Sequence, residues 1–203
     1  QMSNKEAHYQ NAVTNMERAA TLNPDSSLAL VALLKMAYER GHIPQPQWMD
    51  ELRRRYEHTL FHPSETAGLN QMVKCRAERT CNYPTQDING LFQAALSNPT
   101  IPPYQKAQLM VDLAALYVNE ASDFGPAMNL LDDAVALFPD EFDFRKVRAQ
   151  VYLMAERYDA VENETRYMRS VAIWRDKIRS PIEAIKSLEQ SVIAGRQRAA
   201  SEQ

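Results

Sequence analysis

The sequence predicts an all-α protein built from pairs of helices that stack along the chain. The first observation is a spacing of small and bulky residues ended by a proline, which occurs at Tyr9, Ala12, Met16, Ala19 and Pro24 and again at Ala127, Leu131, Ala134 and Pro139. The second is composition, since alanine and leucine are the commonest residues and only five of the 203 are glycine. Chains rich in strands and tight turns use more glycine and more β-branched residues.

Prolines separate the first three predicted helices. The first is expected over residues 4–21, because the residue before Pro24 is disfavoured in a helical conformation. A second helix is expected to run to Arg40, capped by Asp25 or Ser26. A third is expected to be introduced by Pro44-Gln45-Pro46 and to carry Trp48, Leu52 and Tyr56.

The middle of the chain, about residues 42–102, is predicted to be helical but irregular. A fourth helix is expected to begin after His62-Pro63-Ser64, and an irregular stretch is expected between Lys74 and Thr85. Asp87 is expected to cap a fifth helix whose inward face carries Ile88, Leu91, Phe92 and Ala95.

Four or five further helices are predicted in the second half. Their inward positions include Leu109, Leu113, Leu116 and Tyr117, then Ala127, Leu130, Leu131 and Ala134, then Val147, Val151 and Met154, then Tyr167, Val171, Trp174 and Ile178, and finally Ile185, Leu188 and Val192. The capping box Ser180-Pro181-Ile182-Glu183 opens the last helix. We expect one domain over residues 1–195, followed by a frayed tail at 196–203.

The repeated spacing resembles the tetratricopeptide repeat, a helical pair of about 34 residues. In the later match, Ala127 and Ala134 occupy the two small positions, Leu131 fills the space between them and Pro139 ends the unit. The resemblance covers about half of the chain. It implies a tetratricopeptide-like superhelix with an irregular helical middle, which binds a partner and catalyses nothing. An irregular helical bundle is the alternative.

In such a superhelix the first helix of each pair lines an inner groove. The resemblance implies that the groove-facing positions include Lys35, Tyr38, Asp112, Leu116, Asn119, Lys146 and Gln150. Each of them alone is equally compatible with an ordinary surface residue. The set lacks the dense lysine, asparagine and arginine pattern that resembles a carboxylate clamp for chaperone tails, so binding of acidic C-terminal peptides is not favoured.

A second resemblance lies in the order of four segments, Asn23-Pro24-Asp25-Ser26-Ser27-Leu28, Leu33-Leu34-Lys35-Met36-Ala37, Cys75 with Cys81, and Ala94-Ala95-Leu96-Ser97-Asn98-Pro99. This order is similar to the soluble C-terminal region of multi-pass bacterial membrane proteins of the O-antigen polymerase, O-antigen ligase and lipid-linked glycosyltransferase type. The resemblance implies a non-catalytic periplasmic domain of an inner-membrane protein of surface-polysaccharide or glycoconjugate biosynthesis. A protein or a lipid-linked glycan would be its partner. A cytosolic adaptor that binds a peptide is the alternative.

The chain has two cysteines, Cys75 and Cys81. On one continuous helix they would point away from each other, whereas a helix that ends near Cys75 and a turn through Arg79-Thr80 bring their Cα atoms within bonding range. This spacing and the resemblance together favour a disulfide in an oxidising compartment over two reduced thiols in the cytosol. A zinc site is not favoured, because the spacing is wrong and no second pair exists.

No motif in the sequence predicts catalysis, a cofactor or a metal. His58 and His62 are four residues apart, as paired metal ligands are, but Thr59 stands where the H-E-x-x-H motif has its glutamate. His62 directly precedes Pro63, where stabilising a helix C-terminus is the simpler role. The five glycines never cluster, so no phosphate-binding loop is predicted.

Charge and hydropathy argue against nucleic acid and against a membrane span. The formal net charge is −3, and Arg53-Arg54-Arg55 alternates with acidic residues as on a solvated, salt-bridged surface. The longest apolar run, Leu28–Leu34, is far shorter than the ~20 residues that cross a bilayer. Because Gln1 cannot initiate translation, we expect a fragment that reaches a membrane through a segment upstream of Gln1.

Overall fold

A computed structural model describes residues 4–58, 63–77, 83–121, 124–172 and 179–201. These described residues form ten helices and no strand, which confirms the predicted all-α class and its helical hairpins. The helices are α1 (Asn4–Leu22), α2 (Leu28–Glu39), α3 (Pro46–His58), α4 (Pro63–Ala77), α5 (Thr85–Ser97), α6 (Pro103–Ala121), α7 (Phe124–Leu137), α8 (Phe142–Met154), α9 (Tyr158–Ala172) and α10 (Arg179–Ser201).

The chain divides into two compact units, unit 1 (Gln1–Leu109) and unit 2 (Met110–Gln203). The division falls within α6, so no linker separates the two. A single domain over residues 1–195 would be one array that includes both units, and this stays a prediction.

Unit 1 has a continuous apolar core contributed by α2, α3, α4 and α5. Side chains with no exposed surface include Leu33, Leu34, Leu52, Leu69, Ile88 and Phe92. Successive helices pack as pairs, α1 on α2 and α4 on α5, while α2 also contacts α4 and α3 contacts α5. α3 also packs on α2, so it lies between α2 and α5.

Unit 2 is a run of hairpins in which each helix packs on the next. The contacts run from α7 to α8, from α8 to α9 and from α9 to α10, and α10 also packs on α8. One cluster of buried side chains joins α6, α7 and α8 through Ala114, Met128 and Val151. A second cluster joins the last three helices through Ala149, Val161 and Ile185.

The two matches to the repeat spacing differ in burial. The later match has Ala127, Leu131 and Ala134 with no exposed surface, as the spacing requires. In the early match Ala19 is exposed, and its neighbour Ala20 is buried instead. The later spacing therefore describes a packed helix face, whereas the early one is shifted at that position.

The end of α10 differs from the predicted frayed tail. The helix continues to Ser201, and Gly195 lies buried within it. Arg196 pairs with Asp159 at 2.6 Å and with Glu162 at 2.8 Å, which ties this part of α10 to α9. These contacts hold a segment that the sequence alone leaves without a packing partner.

Two predicted helix caps are also corrected. The residue before α2 is Ser27, and the Ser26 hydroxyl accepts a hydrogen bond from the Leu28 amide at 3.4 Å. The residue before α5 is Pro84, whereas Asp87 lies inside its first turn. A carboxylate there still complements the positive end of the helix dipole.

Candidate functional site

A cleft of about 430 Å³ opens between α1, α2 and α3 of unit 1. Its floor is apolar and includes Ala20, Leu30 and Leu33, and Pro24 borders it. Polar side chains from α1 and α3 stand at the rim, among them Glu17, Gln47 and Glu51. We call this space the α1–α3 cleft.

Arg55 holds the end of α1 against α3. The last carbonyls of a helix have no partner within the helix. The Arg55 guanidinium donates to Ala20 O in the last turn of α1 at 3.0 Å, and to Asn23 O at 3.3 Å and Ser26 O at 2.6 Å in the connection between α1 and α2. Arg55 is 5% exposed, so these bonds form in a largely dry environment. The cation also complements the negative end of the α1 dipole.

Glu51 lies between two arginines on the same helix. Its carboxylate accepts from Arg54 at 2.8 and 2.7 Å and from the Arg55 Nε at 2.8 Å. The hydrogen bond from Arg54, aided by that from Arg55, outweighs burial and lowers the pKa of Glu51 to about 2. Glu51 is therefore a neutralised anion whose main contacts lie within α3.

Glu17 is fixed by the indole of Trp48. The Trp48 Nε1 donates to the Glu17 Oε1 at 3.0 Å, which links α1 to α3. Trp48 is 5% exposed, and a buried indole N–H needs an acceptor. Within the described part of the chain no cation pairs with Glu17. The cleft thus combines an apolar floor with one anion that is held in place and not neutralised.

No protein-family model matches this chain, and no curated protein matches it significantly.

Two of the predicted groove residues are buried and are corrected here. Tyr38 is 8% exposed, donates a hydrogen bond to Asp87 at 2.8 Å and packs on the Tyr83 ring with centroids 4.5 Å apart. Burial, and then the bond to Asp87, raise the pKa of Tyr38 above its usual range. Leu116 is 2% exposed. Neither side chain is available to a ligand.

The remaining predicted groove residues lie nearer the surface. Lys35 pairs with Glu39 at 3.7 Å and Lys146 pairs with Asp143 at 3.7 Å, each within its own helix. Asn119 and Gln150 are exposed, and Asp112 is half-buried. Lys35 belongs to unit 1 and the others to unit 2. A shared groove over these residues stays a prediction.

Cys75 is buried in the last turns of α4 and is not a free thiol. Cys81 lies outside the described residues, so the Cys75–Cys81 disulfide stays a prediction. His62 also lies outside them, and His58 is exposed, with its Nε2 3.5 Å from Glu57. The described residues contain no group of three or more His, Cys, Asp or Glu placed to hold a metal ion.

A buried ionic network in unit 2 joins α7, α8 and α9. Glu164 is 7% exposed, and its carboxylate accepts from Arg145 Nη1 at 3.0 Å and from Arg148 Nη2. Arg148 Nη1 also donates to Asp132 at 2.7 Å. The Arg145 guanidinium lies 3.5 Å from the centre of the Tyr167 ring. This network fixes three helices against one another.

The sequence did not reveal the cleft residues. The interpretation of Arg53-Arg54-Arg55 as a solvated surface fits Arg53 and Arg54 but is wrong for Arg55, which is buried. The sequence offers one signal for the cleft, Trp48, because a buried indole N–H needs an acceptor.

Among the described helices, none combines the length and the apolar character that a membrane span requires.

Proposed function

We propose that this chain is a non-catalytic, tetratricopeptide-like scaffold that binds a segment of a partner protein in the α1–α3 cleft. The observation that carries the proposal is that the cleft is held open by bonds between helices. Trp48 joins α3 to Glu17 of α1, and Arg55 joins α3 to the end of α1. A site that is ordered before binding loses little entropy when a ligand enters.

The cleft favours an apolar side chain beside a basic one. Leu30 and Leu33 form a floor for an aliphatic or aromatic group, and Glu17 supplies an anion that no cation among the described residues neutralises. Two further apolar side chains near these residues in sequence are exposed: Leu22, which follows the lining residue Thr21, is 74% exposed, and Leu28, two residues before Leu30, is 48% exposed.

The packing of unit 2 supports the repeat architecture. In stacked hairpins the first helix of one pair contacts the first helix of the next, and α10 packs on α8 in this way. Ala127 and Ala134 have no exposed surface, so they let neighbouring helices approach closely.

A selection from a random peptide library on the immobilised chain tests the binding site. We expect enriched peptides to carry an apolar residue next to lysine or arginine. Glu17→Lys is expected to weaken their binding about tenfold or more, the range for a lost charged contact. Asp133→Lys, which makes the same charge change at an exposed site of unit 2, is the matched control. Acidic peptides, or equal binding to Glu17→Lys, would contradict the proposal.

The cellular setting is proposed from the resemblance to surface-glycan membrane proteins. We propose a periplasmic domain of an inner-membrane protein of O-antigen or glycoconjugate biosynthesis, in which the cleft docks a partner beside the membrane enzyme. Free-thiol titration of the unfolded protein, isolated from its natural host with thiols trapped at lysis, tests this. Two blocked thiols that a reductant restores would support a Cys75–Cys81 bond and an extracytoplasmic location. Two free thiols would favour the cytosolic peptide-binding adaptor instead.

A further inference from the structure

A second pocket, of about 370 Å³, lies in unit 2 where α8 ends, α9 begins and α10 passes. Its lining is mostly polar, and Leu153 and Met154 at the end of α8 supply the apolar part; Met154 is 56% exposed. Tyr158 contributes a phenol at the start of α9. We call this space the α8–α10 pocket.

Two opposite charges line the α8–α10 pocket without neutralising each other. Glu156 lies in the turn after α8, and Arg198 lies on α10. Within the described residues neither side chain has an ion-pair partner. By contrast, Arg169 and Arg196 of the same helix pair are both bonded to carboxylates. Arg198 Nε donates to the Ala194 carbonyl of its own helix at 3.4 Å, a neutral partner that leaves the positive charge uncompensated. A carboxylate and a guanidinium that line one pocket without an ion-pair partner are suited to a ligand that carries both charges.

Glu156 adopts a left-handed backbone conformation, which favours glycine. Its φ is +58°, and the two hydrogen bonds that close the helix end, Glu156 N to Leu153 O at 3.0 Å and Arg157 N to Tyr152 O at 2.8 Å, define a Schellman turn. A glutamate at this position is strained where glycine would not be. Strained residues are common at ligand sites, and here the strained residue places a carboxylate at the pocket.

Other polar groups around the pocket also favour a bound cation near Glu156. The C-terminal end of α8 carries the negative end of the helix dipole, which attracts positive charge. The Ser191 hydroxyl donates to Ser187 O at 2.9 Å, so its lone pairs remain as acceptors towards the pocket. An ammonium group needs acceptors of this kind.

We propose that the α8–α10 pocket binds a small zwitterion of the α-amino acid class. Its ammonium lies on Glu156, its carboxylate on Arg198, and its apolar side chain against Leu153 and Met154. This assignment does not depend on the α1–α3 cleft.

The test is an NMR titration of the ¹⁵N-labelled full chain with L-leucine. We expect saturable shifts of the Ser191, Gly195 and Ala199 amides with a Kd on the order of 1 mM. Leucinamide lacks the carboxylate and isocaproate lacks the ammonium, so each is expected to bind about tenfold more weakly. The absence of saturable shifts up to about 10 mM leucine, or equal binding of either analogue, overturns the proposal.

The leucine affinities of variants distinguish binding at this site from non-specific binding. Glu156→Gln and Arg198→Gln are each expected to weaken leucine binding about tenfold. Glu156→Gly removes the carboxylate and relieves the strained backbone, so it folds at least as well and is also expected to lose binding. Arg166→Gln removes another exposed arginine of unit 2 and is the control that keeps wild-type affinity. Wild-type affinity in both Gln variants overturns the assignment.

Discussion

Arg55 shows how three identical neighbours take different roles. Successive residues of an α-helix point about 100° apart, so Arg53, Arg54 and Arg55 face different surroundings. Arg53 and Arg54 pair with acidic residues on the exposed surface of α3. Arg55 points inward and donates to Ala20 O in the last turn of α1 and to Ser26 O in the connection to α2. Its contribution is to join two helices.

Arg55→Ala is expected to destabilise the protein by about 3 kcal/mol, because it leaves buried carbonyls without donors. Arg54→Ala is the matched control, because the Arg54 side chain is 56% exposed and its pair with Glu51 is screened by solvent, so its loss is expected to have little effect. Urea unfolding followed by circular dichroism measures both. Equal destabilisation by the two substitutions would show that Arg55 is not a cap.

Glu51 is expected to make the free energy of unfolding depend on pH in the acidic range. Its pKa is lowered from 4.5 to about 2 in the folded protein, so the folded state favours the charged form. The resulting stability is complete above pH 4.5 and is lost as the pH falls towards 2. The difference in free energy of unfolding between wild type and Glu51→Gln should shrink over this range. A difference that does not change with pH would contradict the lowered pKa.

At the scale of helices, Gly195 marks a close approach of α10 to the Tyr158 side chain of α9. A Cβ placed on Gly195 would lie 2.6 Å from Tyr158 ring atoms, nearer than real Cβ contacts. Gly90 is also inside a helix, but a Cβ there would meet only the end of Arg53, at 3.7 Å. Replacing each of the two glycines with alanine is therefore expected to change the stability of the protein in opposite directions.

Gly195→Ala is expected to cost about 1–3 kcal/mol, because the helix or the Tyr158 ring must move. Gly90→Ala is expected to stabilise by about 0.5–1 kcal/mol, since alanine loses less backbone entropy in a helix. Thermal unfolding of the two variants measures the contrast. Adding Tyr158→Ala should relieve much of the cost at Gly195, and a stable Gly195→Ala single variant would contradict the close approach.

Periodicity predicted the helices well, because it records which face of each helix is buried. The fifth helix is an example, since Ile88, Leu91, Phe92 and Ala95 are all buried as expected. The role of Asp87 was not predicted correctly, because it depends on Tyr38, which is distant in sequence. The α1–α3 cleft had no local signature for the same reason. It forms where three helices meet, and its key bonds join residues 31 and 35 positions apart.

At the scale of the whole molecule, the chain consists of two compact units with different internal bonds. Unit 1 is joined by Arg55 and Trp48, and unit 2 by the network around Glu164. In repeat-like proteins, stability is set by each segment and its neighbours, so damage tends to stay local. A substitution of Glu164 therefore tests whether the two units lose their structure separately.

Glu164→Ala is expected to destabilise unit 2 by about 3 kcal/mol, because it leaves the buried Arg145 without its anion, while Arg148 keeps only its pair with Asp132. Hydrogen exchange measured by mass spectrometry should show faster exchange in α7, α8 and α9, with protection in α2, α3 and α5 retained. Glu189→Ala removes a carboxylate that pairs with Arg169 on the exposed surface, and it is the control with little effect. If exchange rose equally in both units, the whole chain would unfold as one cooperative body, and a single-domain array over residues 1–195 would be the better description of its energetics.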